Sequence, residues 1–223
     1  MNSSEKSVNE AFDYMGVYDE GILISRKYVS DDTFAKLNDL DVVESYSGFP
    51  VLAVQDIAPV GWDYSDRSRV YSQIEILQPK PSADSGLVYP QVNESQTAIV
   101  TDDYVINPGE VYFAENVADV VKLGIGDKVE ITCGTVRREF VIAGYIEEPY
   151  GAATIGVKTI LVSDEDYASF YNEVKEVYTD DVALDEFDNY CIFINKSDDA
   201  MSNGDFRKIV DDATGIYTNS YFA

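Results

Sequence analysis

The chain has 223 residues, 45% of them hydrophobic, enough for a sizeable core in one large domain or two small ones. Its 41 acidic residues against 16 basic give a net charge of −25, which repels phosphate backbones and anionic lipid and excludes nucleic acid as a partner. Histidine is absent, so the commonest general base and metal ligand is missing, which weighs against a hydrolase.

The first dozen residues are polar, and 1–17 read as a flexible lead-in. Asn2-Ser3-Ser4-Glu5-Lys6 opens on polar residues and not on an apolar signal stretch. Gly21 to Val29 reads as a strand. Ser30 then caps a short helix through Leu37, with Asp31 and Asp32 in its first turn. A second strand begins at Asp41-Val42-Val43-Glu44, and the apolar run Phe49 to Val54 continues it or starts another, making a β-α-β unit. Ile57 to Arg69 is loop-like, with Pro59, Gly61 and the only tryptophan, Trp62. Val70 to Leu77 reads as a strand, and Gln78 to Asn93 as a loose region holding Pro79, Pro81, Gly86 and Pro90. Thr97 to Val100 and Tyr104 to Ile106 are short strands leading into the centre of the chain.

The stretch Pro108 to Ala152 is a folding unit. Phe113, Val117, Val120 and Val121 stripe a helix from about Ala114 to Leu123; Gly124 supplies a left-handed stop onto which Ile125 folds back. Gly126-Asp127 turns into a strand in which Val129, Ile131 and Cys133 share a face, and Gly134-Thr135 turns into another, Glu139 to Ile146. Glu148-Pro149-Tyr150-Gly151 closes the unit. Beyond it, Thr154 to Val162 is β-rich. Ser163, with Asp166 three residues on, opens a helix striped by Tyr167, Phe170, Tyr171 and Val174. Asp180 to Asn189 is an acidic loop and Tyr190 to Asn195 a strand. Phe206, Ile209, Val210 and Ala213 stripe a helix that stops at Gly215, and Ile216 to Phe222 is a last strand. The C-terminal end is therefore a second β-α-β, matching the first in order but not in residues.

Motifs for chemistry are missing. No P-loop, GxGxxG, GxSxG, HExxH or CxxC pattern occurs, and Gly124-Ile125-Gly126 precedes a strand instead of a helix. The acidic clusters (Asp63 and Asp66; Asp102-Asp103; Asp180-Asp181 with Asp185 and Glu186; Asp198-Asp199) lack EF-hand spacing and read as solvated surface. Paired carboxylates of the kind a glycosidase uses arise by chance in so acidic a chain. Catalytic, cofactor and metal residues are therefore expected to be none. Cys133 and Cys191 read as buried and free, and no apolar run is long enough to span a membrane.

Gly109-Glu110-Val111, the short helix, Gly126-Asp127-Lys128-Val129, Phe140-Val141-Ile142-Ala143-Gly144, Glu148-Pro149-Tyr150-Gly151 and the run Ile155 to Tyr167 occur in an order that carries a resemblance. Together they resemble the extracytoplasmic domain of FtsX-like (MacB-type) ABC transporter permeases, especially Gram-positive members. The likeness is good over about Pro108 to Phe170, and elsewhere rests on the order of elements. It implies an α+β fold with two subdomains. One is a porter-like sheet made from the N- and C-terminal β-α-β units (18–56 plus 190–223), and the other an inserted β-rich, Sabre-like subdomain with short helices (57–189). It also implies a non-catalytic domain without cofactors on the extracellular face of the cell membrane, coupling membrane-helix movement to substrate or partner handling. Its partners would be the permease's own transmembrane helices and a separate ABC ATPase subunit, with a second permease copy or an extracellular protein or peptide as further partners. The rival readings are a secreted or surface-attached binding module for carbohydrate or peptide, which would use the 17 tyrosines and 10 phenylalanines, and a two-carboxylate hydrolase.

Overall fold

A computed structural model describes residues 18–82, 85–94, 98–114, 120–148, 158–198 and 200–221. The N-terminal unit forms around β1 (Glu20–Ser25), α1 (Asp31–Asn38) and β2 (Val43–Pro59). Ser30 caps α1 through a reciprocal pair with Thr33, its side chain accepting the Thr33 N–H while the Thr33 hydroxyl accepts the Ser30 N–H at 3.1 Å. Both β1 and β2 pair antiparallel with β10 (Asp188–Lys196), which lies between them, so the unit is a split β-α-β. α4 (Asn203–Thr214), capped by Ser202 and ended by Gly215 in the left-handed conformation, packs beside α1 on the same face. Leu37 of α1 meets Phe206 and Val210 of α4 over Ile22, Ile24, Ile192 and Ile194. Phe34 stacks on Tyr46 at 5.6 Å and leans on Tyr190 at 5.7 Å, directly above Gly48, where any Cβ would collide with both Tyr190 and Phe34.

The second half of β2 carries the same sheet on to a second group of strands. Residues Leu52 to Val54 pair with β3 (Glu75–Pro79), and Gln55 to Pro59 pair with β7 (Lys128–Cys133). The partner changes between Val54 and Gln55, and a bulge follows at once between Gln55 and Ile57, with Asp56 at φ 55°, so the strand bends just past the change. From β3 the pairing runs to β9 (Thr159–Val162), to β6 (Glu110–Ala114), to β8 (Val136–Ile146), to β7, and so back to β2. Those strands close into a barrel. Every strand points apolar residues inward: Leu52, Val54 and Ile57; Leu77; Ile160 and Val162; Val111 and Phe113; Phe140 and Ile142; Val129, Ile131 and Cys133. α2 (Asp164–Val177), capped by Ser163, lays Tyr167, Phe170 and Val174 on that core. A short hairpin of β4 (Gln91–Val92) and β5 (Ile99–Thr101) extends the sheet beyond β8, and the four-residue α3 (Asp181–Leu184) leads back to β10. A further core spans both parts, joining Leu23, Val51, Cys191 and Phe193 to Ile76, Tyr89, Tyr112, Ile146 and Leu161.

The fold is α+β, as the pattern of elements predicts, but several local expectations are corrected. Helical backbone in the central unit is described only at Val120 and Val121; Val117 lies outside the described residues. The left-handed residue there is Lys122 (φ 55°), not Gly124. Arg69 makes this possible by donating to the carbonyls of Val121 (2.8 Å) and Lys122 (3.0 Å) across the chain. Ile125 is exposed and does not fold back. β2 runs on through Pro59, where proline is tolerated because the strand ends there. Val70 to Ile74 is not a strand beyond one bridge, Ile57 to Tyr71. Tyr104 to Ile106 forms none, because Tyr104 stacks on Tyr112 at 4.9 Å and Ile106 is buried in the core. Asp180 to Asn189 holds α3 and the start of β10. Ile209 remains 37% exposed on α4. The last expected strand shrinks to a single antiparallel bridge, Ile24 to Ser220, since Ile216 and Tyr217 turn inward as core residues. Residues 1–17, Pro149 to Gly151 and Thr154 to Val157 lie outside the described residues.

Candidate functional site: a carboxylate clamp at the barrel rim

β9 enters the barrel between β3, which it joins in parallel, and β6, which it joins antiparallel. Successive amides of an extended chain point to opposite neighbours, and here those of Lys158, just before β9, and Thr159, its first residue, are both taken by side chains. Glu75, the first residue of β3, accepts the Lys158 N–H through Oε2, while Glu148, just past β8, accepts the Thr159 N–H through Oε1 at 2.5 Å. The two carboxylates therefore complete the ladder on both sides of the strand before carbonyls take over. Tyr71 donates its hydroxyl to Glu75 Oε1 at 2.5 Å, and the Lys158 ammonium lies 3.4 Å from Glu148 Oε2.

Both acids are withdrawn from water, Glu75 at 1% exposure and Glu148 at 7%. Burial disfavours the charged form and pushes Glu75 up to about 7, opposed by the bonds from Tyr71 and Lys158 and helped by the charge of Glu148. Burial also raises Glu148, against the pull of Lys158. Beneath them Gln78, the Tyr89 hydroxyl and the Thr159 hydroxyl are buried without a hydrogen-bond partner in the protein. With such exposures the carboxylates are placed to hold backbone and protons, not to meet a substrate.

The acidic clusters singled out in the sequence do other work. Asp63 and Asp66 accept the N–H groups of Ser65 and Ser68 in turns, bonds that hold both carboxyls below the usual range. Asp185 pairs with Lys27 at 2.6 Å, and Asp198 accepts from the Ala200 N–H. Asp199 lies outside the described residues, and among the described residues no three His, Cys, Asp or Glu side chains are grouped to hold a metal. Cys133 and Cys191 are buried and free, in different cores. The clamp was missed by sequence reasoning; its only signal is an acid inside the apolar run Ile74-Glu75-Ile76-Leu77.

No helix among the described residues is long and apolar enough to cross a membrane. No family model matches the sequence, and no curated protein matches it. Similar solved structures include a domain of a protein provisionally named a permease from Porphyromonas gingivalis, 11% identical, with a TM-score of 0.39 over 88% of this chain and 75% of that one. A likeness at that distance carries nothing about function.

Proposed function

We propose that this chain is a non-catalytic extracellular domain of an ABC transporter permease, of the FtsX-like (MacB-type) kind. In this reading the terminal sheet (18–56 with 190–223) is the part next to the membrane and 57–189 the part projecting from it. Movement of the two flanking membrane helices reaches the terminal sheet directly and passes to the barrel, where substrate or a partner is handled. The energy comes from a separate ABC ATPase subunit.

One observation carries the proposal. Ser220 bridges Ile24 antiparallel and the Tyr221 N–H donates to the Leu23 carbonyl at 3.0 Å, so the outgoing chain runs alongside β1 toward the end at which β1 begins. Both ends of the described chain therefore leave the same edge in the same direction, as attachment to one membrane through two helices requires. The order of motifs from Pro108 to Phe170 supports the same reading. The natural full-length protein tests it, produced in its own cells with a cysteine in place of exposed Ser68. A membrane-impermeant thiol reagent should label that protein in intact cells, and an ABC ATPase should copurify with it. Labelling only after lysis, or a parent protein without a hydrophobic helix on each side of this segment, would overturn the proposal.

A further inference from the structure

The start of β9 is held in an unusual way for a buried strand. The amides of Lys158, just before it, and Thr159, its first residue, bond to carboxylates from two other parts of the chain, and Lys158 is the one cation facing that pair among the described residues. Around Glu75 stand the Tyr71 hydroxyl, Lys158 and Glu148; around Glu148 stand Lys158, the Tyr89 hydroxyl and the Cys191 thiol. Tyr71, Tyr89 and Cys191 are all pushed up, chiefly by burial, and stay neutral near pH 7. Two buried acids thus share one compensating charge. A proton is the ligand that balances them, and the geometry accepts it without breaking a bond. A proton on Glu75 Oε1 can be donated to the Tyr71 hydroxyl oxygen, while Oε2 continues to accept the Lys158 N–H.

We propose that Glu75 and Glu148, with Lys158, form a proton-operated latch on the start of β9: one bound proton keeps the strand seated in the barrel, and losing it lets Lys158 to Ile160 open. Opening exposes Glu75 to water, where it ionises as an ordinary carboxyl. The open form is therefore favoured progressively as pH rises from about 4.5 to about 7, and least favoured in acid. The limiting dependence is about tenfold in the opening constant for each pH unit, as for release of one proton. This inference stands on the rim geometry and does not depend on the permease reading.

Amide hydrogen exchange of the full chain between pH 5 and pH 8 tests it, with intrinsic exchange rates divided out. The opening constant at Lys158, Thr159 and Ile160 should climb toward tenfold per pH unit up to about pH 7. In Glu75→Gln, whose amide copies the protonated acid, those positions should stay protected and lose the pH dependence. In Glu148→Gln the climb should move to lower pH, because the neighbouring charge is gone. A flat wild-type profile, or one equally steep in Glu75→Gln, overturns the latch. If the variants do not fold, carboxyl-carbon NMR of the wild type decides alone: a Glu75 that titrates in the ordinary carboxylate range overturns it too.

Discussion

Asp166, 4% exposed, accepts the Gly109 N–H at 2.7 Å and the Ser163 hydroxyl at 2.7 Å on one oxygen, and Arg138 at 3.2 Å on the other. It ties the loop before β6, the cap of α2 and the start of β8 to one point. Asp166→Ala should cost about 2–4 kcal/mol in denaturant unfolding, below the top of the range for a broken buried pair because the Arg138 side chain keeps 22% exposure. A loss under about 1 kcal/mol would show that these bonds are replaced by solvent. Glu75 has the opposite character. Its carboxyl is raised from 4.5 to about 7 in the fold, so the folded state keeps a proton that the unfolded chain has released. The sign follows: this contribution is greatest below pH 4.5 and is lost as pH climbs to about 7, at up to about 1.4 kcal/mol per pH unit. Subtracting the Glu75→Gln profile from the wild type in pH-dependent unfolding should isolate that falling slope; no difference between the profiles would refute it.

The β7–β8 hairpin, α2 and α4 are legible from sequence because each carries its instructions locally. Val129, Ile131 and Cys133 alternate, Ser163 caps a helix, Gly215 stops another, and all behave as read. The same hairpin yields a test at this scale. Gly134 sits at φ 59°, where an added Cβ would run into the Tyr178 hydroxyl, and that hydroxyl accepts the Thr135 N–H at 2.8 Å. Gly134→Ala should therefore cost about 1–2 kcal/mol in thermal or chemical unfolding, from the left-handed backbone and the displaced tyrosine together. In a Tyr178→Ala background the penalty should shrink toward the backbone part alone, about 1 kcal/mol. Equal penalties in both backgrounds would rule out the collision. What sequence does not disclose is long-range. β2 reads as one or two strands because its alternation is broken by Gly48, Pro50 and Asp56, and nothing local says that the strand changes partners between Val54 and Gln55. The clamp is hidden for the same reason: Glu75 and the Lys158 amide are 83 positions apart, and an isolated acid in an apolar run looks like a solvent-facing residue.

At the scale of the molecule, β2 belongs to the terminal sheet through Val43 to Leu52 and to the barrel from Leu52 onward, so it is one rigid connection between them. Another is Phe187, whose carbonyl accepts the Ala53 N–H at 2.8 Å as the chain returns into β10. A displacement applied at β1 and the chain end therefore has a route to the barrel through β10 and β2, and a second through the shared core in which Leu23 joins Ile76, Tyr89 and Leu161. This transmission needs both ends to start from one place. Tyr221 lies beside Leu23, and β1 begins at Glu20, three residues away along the strand, so the ends are ~10 Å apart at about 3.3 Å per residue. A circular permutant makes that distance measurable. Joining Tyr18 to Tyr221 by a flexible linker of about six residues spans up to ~20 Å, and new ends can be opened at the exposed turn between Gly61 and Trp62. The permutant should fold cooperatively, with a Tm within a few degrees of the parent opened at neither place. Lengthening the linker to about twelve residues should change little, since loop closure grows only slowly with length. A permutant that folds with the long linker but not the short one would place the ends far apart, and with them the two membrane attachments on which the mechanical reading depends.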